Sequence, residues 1–422
     1  MTKTVKVLMI GACSDTILLP LGEMIQAASS RFELSVSGLF VLKAKEIFVS
    51  DKGVGSFVRC LPAFGASSRP DGNGQSGGKS KLGSDTNLLT KLRVKRLVKR
   101  LIAKSDLSEI VKREKFRIDF GSLHKEYDLL HVHGMFLSGV HYWLLNGKSP
   151  PFVVSCWGSD VLRNSNVKTI KVQQKLLRKA SAITVSGPEF KEVVLSKYGR
   201  DLAPKIHFAI FDPELKSIPI AKRSPAGKNF RNKFCVESDQ KIVAIAHNGN
   251  PDNRHLEIIN SLSELSVSEK ESVFCVLQMT YGVTSDYVLE VQEALDSAGL
   301  SGVTLTDFMS HEDLLELRLA TDILIYAPVS DAFSASVTQA LAVGTVVILG
   351  SWLPYKIRVR AGFYYTEIDS VSESATAVNC VLKNWDEQQS LAEPNRALSV
   401  SFFDRERLGQ GWCGAYEAAL AK

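Results

Sequence analysis

The sequence predicts an α/β protein of two Rossmann-like, doubly wound domains that face one another across a central cleft. Three observations lead there. Short apolar runs alternate with helical patterns along most of the 422 residues, as βαβ units do around parallel sheets. A chain of this length exceeds one typical core, so two domains of roughly 200 residues are the expected division. Pro213, Pro219 and Pro225, with several charges, fall between two sets of apolar runs and mark a linker.

The first set contains Val5 to Ile10, Leu34 to Gly38, Leu129 to Val132, Phe152 to Ser155 and Ala182 to Ser186. The second contains Ile242 to Ala246, Val273 to Leu277, Val303 to Thr306, Ile323 to Tyr326 and Val346 to Leu349. The predicted division is therefore residues 1–212, a linker at 213–229, a second domain at 230–400, and a helical segment at 401–422 that returns to the first domain. Although the N-terminus carries Lys3 and Lys6, the apolar run from Val5 to Ala12 alternates and soon meets Asp15, so it reads as a first strand rather than a signal peptide.

Hydrophobic residues make up 45% and charged residues 23%, an ordinary soluble composition. There is no uninterrupted apolar stretch of about 18 residues, so no membrane-spanning helix is expected. The cysteines Cys13, Cys60, Cys156, Cys235, Cys275, Cys380 and Cys413 are scattered without a C-x-x-C pair, which reads as reduced core thiols in a cytosolic protein.

Residues 65–85 form a Gly/Ser-rich tract expected to be a mobile loop. Gly72, Gly74 and Gly77 match the dinucleotide fingerprint by spacing alone, with no strand before them and no helix directly after. Next comes a basic amphipathic pattern at 93–104. Val94, Leu97, Val98, Leu101 and Ile102 share one helical face, and Arg93, Lys95, Arg96, Lys99, Arg100 and Lys104 fill the rest. Such a helix either packs inward with its lysines solvated or docks on an anionic membrane, where each basic residue adds about 1 kcal/mol. The tether before it and its charge density favour docking. No aromatic residue is interleaved, so nucleic acid is not an expected partner.

The chemistry-bearing segments follow strand ends. His131 and His133 alternate on one face of a strand that turns at Gly134; they are paired functional groups or satisfied histidines, with no third metal ligand at a recognisable spacing. Trp157, Gly158, Ser159 and Asp160 follow the next strand. Asp160 is placed either as a general base at the cleft rim or as the cap of the following helix. From Asp322 to Gly350 a buried strand, a polar turn, a short helix with Ser334, Ser336, Thr338 and Gln339, a stop at Gly344 and a second strand succeed one another. A turn that leaves a strand and opens a helix offers free N–H groups to phosphate, which makes this stretch a candidate nucleotide-sugar site.

The order HVHG, SCWGSD, ITVSGPEF and DILIYAPVSDAFSASVTQALAVGTVVI, spread over Leu129 to Gly350, resembles GT-B glycosyltransferases, in outline the family-four group. That group carries two glutamates eight residues apart, the second on the donor ribose; here the positions hold Asp331 and Gln339. It often has His where Trp157 stands. WGSD, HNGNPDNRHLEII and QMTYG are in turn similar to the lipid-linked 4-acetamido-4,6-dideoxygalactose transferases of common-antigen synthesis.

The first likeness implies retention and the second an inverting reaction without a metal, so stereochemistry stays open. Together they imply a UDP or dTDP sugar as donor, an undecaprenyl-diphosphate-linked glycan as acceptor, and work at the inner face of the cytoplasmic membrane. The resemblance assigns the donor to His247, Asn248, Gly249 and Asn250 as a loop of backbone donors, with Arg254 on the diphosphate through a charge-assisted bond of about 1.5 to 3 kcal/mol. Tyr281 and Gly282 would lie beside the nucleotide. Asp331, Ser334, Ser336, Thr338 and Gln339 would close the phosphate and ribose side. Gly11, His131, Gly134, Trp157 and Gly158 fall to the acceptor, and Asp160 or His133 to its deprotonation. No D-x-D pair occurs, so a metal is not expected and no cofactor is implied beyond the nucleotide sugar. A sugar-nucleotide epimerase of the same architecture and a noncatalytic scaffold subunit remain as rival readings.

Overall fold

The computed structural model describes residues 4–11, 18–38, 44–50, 53–59, 123–137, 139–211 and 227–421. The tract at 65–85, the basic pattern at 93–104 and nearly all of the linker lie outside the described residues.

The first sheet has eight strands: β1 (Val5–Gly11), β2 (Phe32–Gly38), β3 (Ala44–Ser50), β4 (Gly53–Arg59), β5 (Leu129–His133), β6 (Phe152–Ser155), β7 (Ala182–Val185) and β8 (Ile206–Phe208), in the order β4-β3-β2-β1-β5-β6-β7-β8. From β2 to β8 every pairing is parallel, whereas β3 pairs antiparallel with both β2 and β4. The sheet is thus not purely parallel as the strand list implies: an antiparallel hairpin forms its edge. The central strands β5, β6 and β7 are buried at every residue, as expected when helices cover both faces.

The second sheet is parallel throughout: β9 (Lys241–Ile245), β10 (Val273–Gln278), β11 (Gly302–Leu305), β12 (Ile323–Tyr326), β13 (Val346–Gly350) and β14 (Thr366–Ile368), in the order β11-β10-β9-β12-β13-β14. This is the 3-2-1-4-5-6 order of a dinucleotide-binding sheet, with its switch point between β9 and β12. In the first sheet the order reverses between β1 and β5. Ligands bind at the carboxyl ends of strands at such points.

Helix ends follow their sequence signals. Asn166, Thr284, Ser310, Ser334 and Asp404 each accept a backbone N–H as N-caps. The helix Ala335–Ala342 ends at Gly344, whose φ of 74° a side chain would strain. The C-terminal helix Arg405–Leu420 packs on the helix Leu19–Ala28 of the first domain, where Trp412, Tyr416 and Ala419 join Met24, Phe32 and Leu34 in one core.

Of the described cysteines, Cys156, Cys275 and Cys413 are buried, but Cys235 and Cys380 are exposed, so the reading of all of them as core thiols does not hold. Among the described residues no helix is long and apolar enough to cross a membrane.

Candidate active site between the domains

The carboxyl ends of β5, β6 and β7 face the switch point of the second sheet across a cavity of about 410 Å³. Phe136, Trp157 and Phe211 of the first domain and Trp412 of the C-terminal helix give it an aromatic wall. His247, Asn248, Asn250, Tyr281, Tyr326 and Asp331 line the other side.

His131 and His133 share a strand face, with ring centroids 3.8 Å apart. His131 has Nδ1 2.8 Å from Tyr416 Oη and Nε2 2.7 Å from Ser155 Oγ, which lies 2.6 Å from Thr184 Oγ1. Burial, then the neighbouring His133, holds its pKa well below the ordinary histidine value. It is a satisfied neutral histidine that ties the C-terminal helix to the sheet. His133 is 4% exposed, and neither ring nitrogen has a hydrogen-bond partner among the described residues. Burial pushes its pKa down to about 3. It stands behind Trp157 and Trp412, at centroid distances of 5.6 and 5.9 Å. A neutral imidazole of such low basicity suits a hydrogen bond to a hydroxyl better than proton abstraction.

Asp160 neither caps its helix, whose N-cap is Gly158 without a side-chain bond, nor stands free: it ties two turns together. Oδ2 accepts the N–H of Met135 at 2.9 Å, and Oδ1 accepts those of Trp157 and Gly158 at 3.0 and 2.9 Å. The side chain is 2% exposed; burial raises its pKa, and the backbone donors oppose that rise. The carboxylate joins the turns after β5 and β6 and does not line the cavity, which corrects its placement as a base at the rim. Gly134 and Gly158 supply the positive φ those turns need, 81° and 121°. Gly11 closes β1 under His133: a Cβ there would lie 3.1 Å from His133 Cβ and 2.8 Å from Leu18 Cδ1.

On the second domain, the loop after β9 folds on itself. Asn248 Oδ1 accepts from Asn250 N at 2.9 Å and from Asn253 Nδ2 at 2.7 Å, while Gly249 N donates to the Tyr281 carbonyl at 2.9 Å. The Gly249 and Asn250 amides are therefore not free for phosphate, a correction to the loop of backbone donors. His247 lies 2.7 Å from Asn248 Nδ2, and burial, with Arg318 next, pushes its pKa down to about 3. Ala246 and Arg254 flank the loop with φ of 61° and 63°. Such outliers persist where the surroundings enforce them and gather at ligand sites. Tyr281 is 53% exposed on the cavity wall, beside Gly282 at φ 74°.

Arg254 points elsewhere: Nε pairs with Glu257 at 2.9 Å, and the guanidinium lies 5.8 Å from the Trp352 ring centroid. It does not line the cavity, so its placement on the diphosphate is not supported by this geometry. The arginine that does line the cavity is Arg163. Its Nη1 pairs with Asp252 at 2.8 Å and its Nη2 donates to the Ser330 carbonyl at 2.9 Å, bridging the domains. Three residues after Asp160, it was within reach of the sequence reading, but nothing local marks its partners.

In the loop after β12, Asp331 accepts from the Tyr355 hydroxyl, and burial raises its pKa against the pull of that bond. Ser334 caps its helix, and its N–H donates to Tyr355 Oη at 2.7 Å. Thr338 is buried and accepts from Arg358 Nη2 at 2.8 Å. Ser334 and Thr338 thus brace the loop rather than face the cavity. Ser336 and Gln339 accept from Arg318, another arginine the sequence reading missed. Its signal was a lone cation in the apolar run LLELRLA. Among the described residues no three His, Cys, Asp or Glu side chains gather into a metal-binding group.

Two facing dinucleotide-type sheets with a cleft between their strand ends define the GT-B fold, and this chain has it. Residues 118–186 match the family model described as Glycosyl transferase 4-like. HepE of Anabaena, in complex with UDP and glucose, superposes with a TM-score of 0.63 at 15% identity, over 98% of this chain and 99% of its own. A glycosyltransferase of Rickettsia africae gives 0.66 at 12%, over 99% of each chain. The sucrose-phosphate synthase of Thermosynechococcus elongatus gives 0.64 at 12%, over 98% of each. Likeness at these identities establishes the fold. No curated protein matches the chain by sequence.

Proposed function

We propose that the chain is a GT-B glycosyltransferase that moves a sugar from a UDP or dTDP donor to a lipid-linked glycan at the inner face of the cytoplasmic membrane. The observation that carries the reading is the two-sided cavity, with aromatic rings on the first domain and amides, hydroxyls and one carboxylate on the second. Aromatic faces suit the apolar side of a sugar ring or a lipid-linked acceptor, while the polar wall suits a nucleotide sugar. The UDP held by HepE supports a nucleotide donor. The basic pattern at 93–104 supports a membrane surface as partner.

In this reading the Trp157 turn holds the acceptor, with the His133 ring packed against Trp157. Asp331, the carboxylate among the cavity-lining residues, faces the reacting sugar. Arg163 is the cation nearest to hand for the leaving diphosphate.

A thermal-shift panel of UDP, dTDP, GDP, CMP and NAD tests the donor half, because a ligand that binds only the native state raises its melting temperature. A rise with UDP or dTDP alone supports the reading. No rise with any nucleotide counts against it and favours the scaffold. The acceptor half is tested by incubating protein and labelled nucleotide sugar with lipid extracts. Label that enters a butanol-soluble glycolipid supports it, and an epimerised free sugar nucleotide with no glycolipid favours the epimerase.

A further inference from the structure

Tyr355 reaches the cavity through Asp331. It caps the helix Lys356–Arg360 and is 2% exposed. Its hydroxyl oxygen accepts the Ser334 N–H at 2.7 Å, and its O–H donates to Asp331 Oδ2. Asp331 lines the cavity and Tyr355 does not.

A phenol has one proton to give. Because the Ser334 amide already donates to the oxygen, that proton is committed to Asp331 and the direction of the bond is fixed. Burial, with Asp331 next, pushes the phenol well above its ordinary pKa, so the donor persists through neutral pH. The ring is held in turn by Arg358, whose guanidinium lies 5.0 Å from its centroid and 4.1 Å from that of Phe333. Arg358 Nη2 also donates to the Ser334 carbonyl at 3.1 Å and to Thr338 Oγ1 at 2.8 Å.

A carboxyl group accepts from a bound hydroxyl with either oxygen only when it is ionised. An O–H donor favours that form and burial opposes it, and Asp331 is subject to both. The other charged or titratable groups that face it are Tyr326 on β12, Arg358 on the helix Lys356–Arg360 and Arg163 of the first domain. Both arginines favour the anion.

We propose that Tyr355 is a positioning residue that fixes Asp331 as an ionised acceptor for a hydroxyl of the donor sugar. The inference rests on the transferase reading above.

Carbon NMR of the full chain, labelled at the aspartate carboxyl carbons, tests this without a donor. The Asp331 signal is the one missing from Asp331→Asn. In the wild type it is expected to be that of a carboxylate at about pH 7. In Tyr355→Phe, which keeps the ring and removes the O–H, it should titrate about one pH unit higher or more. Replacement of Tyr355 by 3-fluorotyrosine keeps the shape and donates more strongly, so it should lower the midpoint; this arm stands even where Tyr355→Phe does not fold. A neutral Asp331 at that pH, or a midpoint unmoved in either variant, overturns the proposal, and Tyr355 then only braces the loop.

Calorimetry supplies the second arm, with UDP-glucose against UDP, or dTDP-glucose against dTDP. The added affinity of the sugar is expected to vanish below the Asp331 midpoint, and to vanish at a higher pH in Tyr355→Phe. An added affinity that is absent, or indifferent to that midpoint, overturns the sugar hydroxyl as the partner of Asp331 and leaves the transferase reading intact. A wild type that binds no nucleotide overturns that reading and the proposal with it, whatever the titration shows.

Discussion

His133 lies against His131 with ring centroids 3.8 Å apart, yet the hydrogen bonds all belong to one ring. His131 uses both nitrogens, on Tyr416 and Ser155, and His133 uses neither. Burial depresses both pKa values, that of His133 to about 3. Below the unfolded value near 6.5 the unfolded chain takes a proton that the native state refuses. Stability is then lost at about 1.4 kcal/mol per pH unit for each such histidine until the folded pKa is reached. His247, also depressed to about 3, adds in the same sense. Asp160 and Asp331, raised by burial, act oppositely just above the ordinary carboxylate value, so the slope is best read between about pH 5 and 6.5. Urea midpoints in that window should fall with pH in the wild type and fall less steeply in His133→Phe. Identical slopes would mean that His133 takes up its proton without cost.

Asp160 joins two turns through three backbone N–H groups while buried. Its removal leaves those donors without a partner, at about 1 to 3 kcal/mol for each orphaned group that cannot reach water. Asp160→Ala should lower stability by about 3 kcal/mol, and Asp160→Asn by less, since its one remaining oxygen keeps part of the set. Denaturant unfolding of both variants decides it. A variant as stable as the wild type but without transferase activity would return Asp160 to the role of base.

Much of the fold was legible because central parallel strands are continuous buried runs with little ambiguity of period. Phe152–Ser155 and Ile323–Tyr326 are read with the same bounds in sequence and structure. The edge hairpin Ala44–Ser50 and Gly53–Arg59 was not read, although Asp51 and Gly53 are residue types that favour turns in the sequence. At the site, the loops were legible and the side-chain roles were not. Whether Gly249 N is free depends on Tyr281, and Arg163 is fixed by Ser330, 167 residues away. Arg254 and Arg318 could not be told apart by residue type; the ion pair of one with Glu257 and the neutral partners of the other separate them.

Gly158 packs directly against Ala332 of the second domain. Its φ is 121°, and a Cβ there would lie 2.9 Å from Ala332 Cβ and 3.0 Å from Ala332 N. Gly158→Ala combines a strained backbone, at about 1 to 3 kcal/mol, with a clash that separates the Trp157 turn from the Asp331 loop. The expected result is a lower melting temperature and a larger radius of gyration by X-ray scattering. Ala332→Gly, which removes the opposing methyl, should recover part of the compactness in the double variant but not the backbone strain. A single variant with wild-type scattering and stability would show that the contact yields without cost.

Arg163 bridges the domains at the cavity, on Asp252 and Ser330, with its side chain 32% exposed and that of Asp252 44% exposed. Ion pairs this open to solvent contribute at most about 1 kcal/mol, so Arg163→Gln should leave the melting temperature within a few degrees of wild type. A charge that meets the diphosphate as it leaves acts more strongly in the transition state than on the bound donor, and its loss lowers kcat more than it raises KM. The expected result in Arg163→Gln is a fall in kcat of tenfold or more with KM for the donor changed less. Asp252→Asn separates the bridge from the charge, because it weakens the link to the second domain while leaving the guanidinium in the cavity. Its kcat should stay near wild type. Equal losses in the two variants would mean that Arg163 serves to close the domains and not to meet the leaving group.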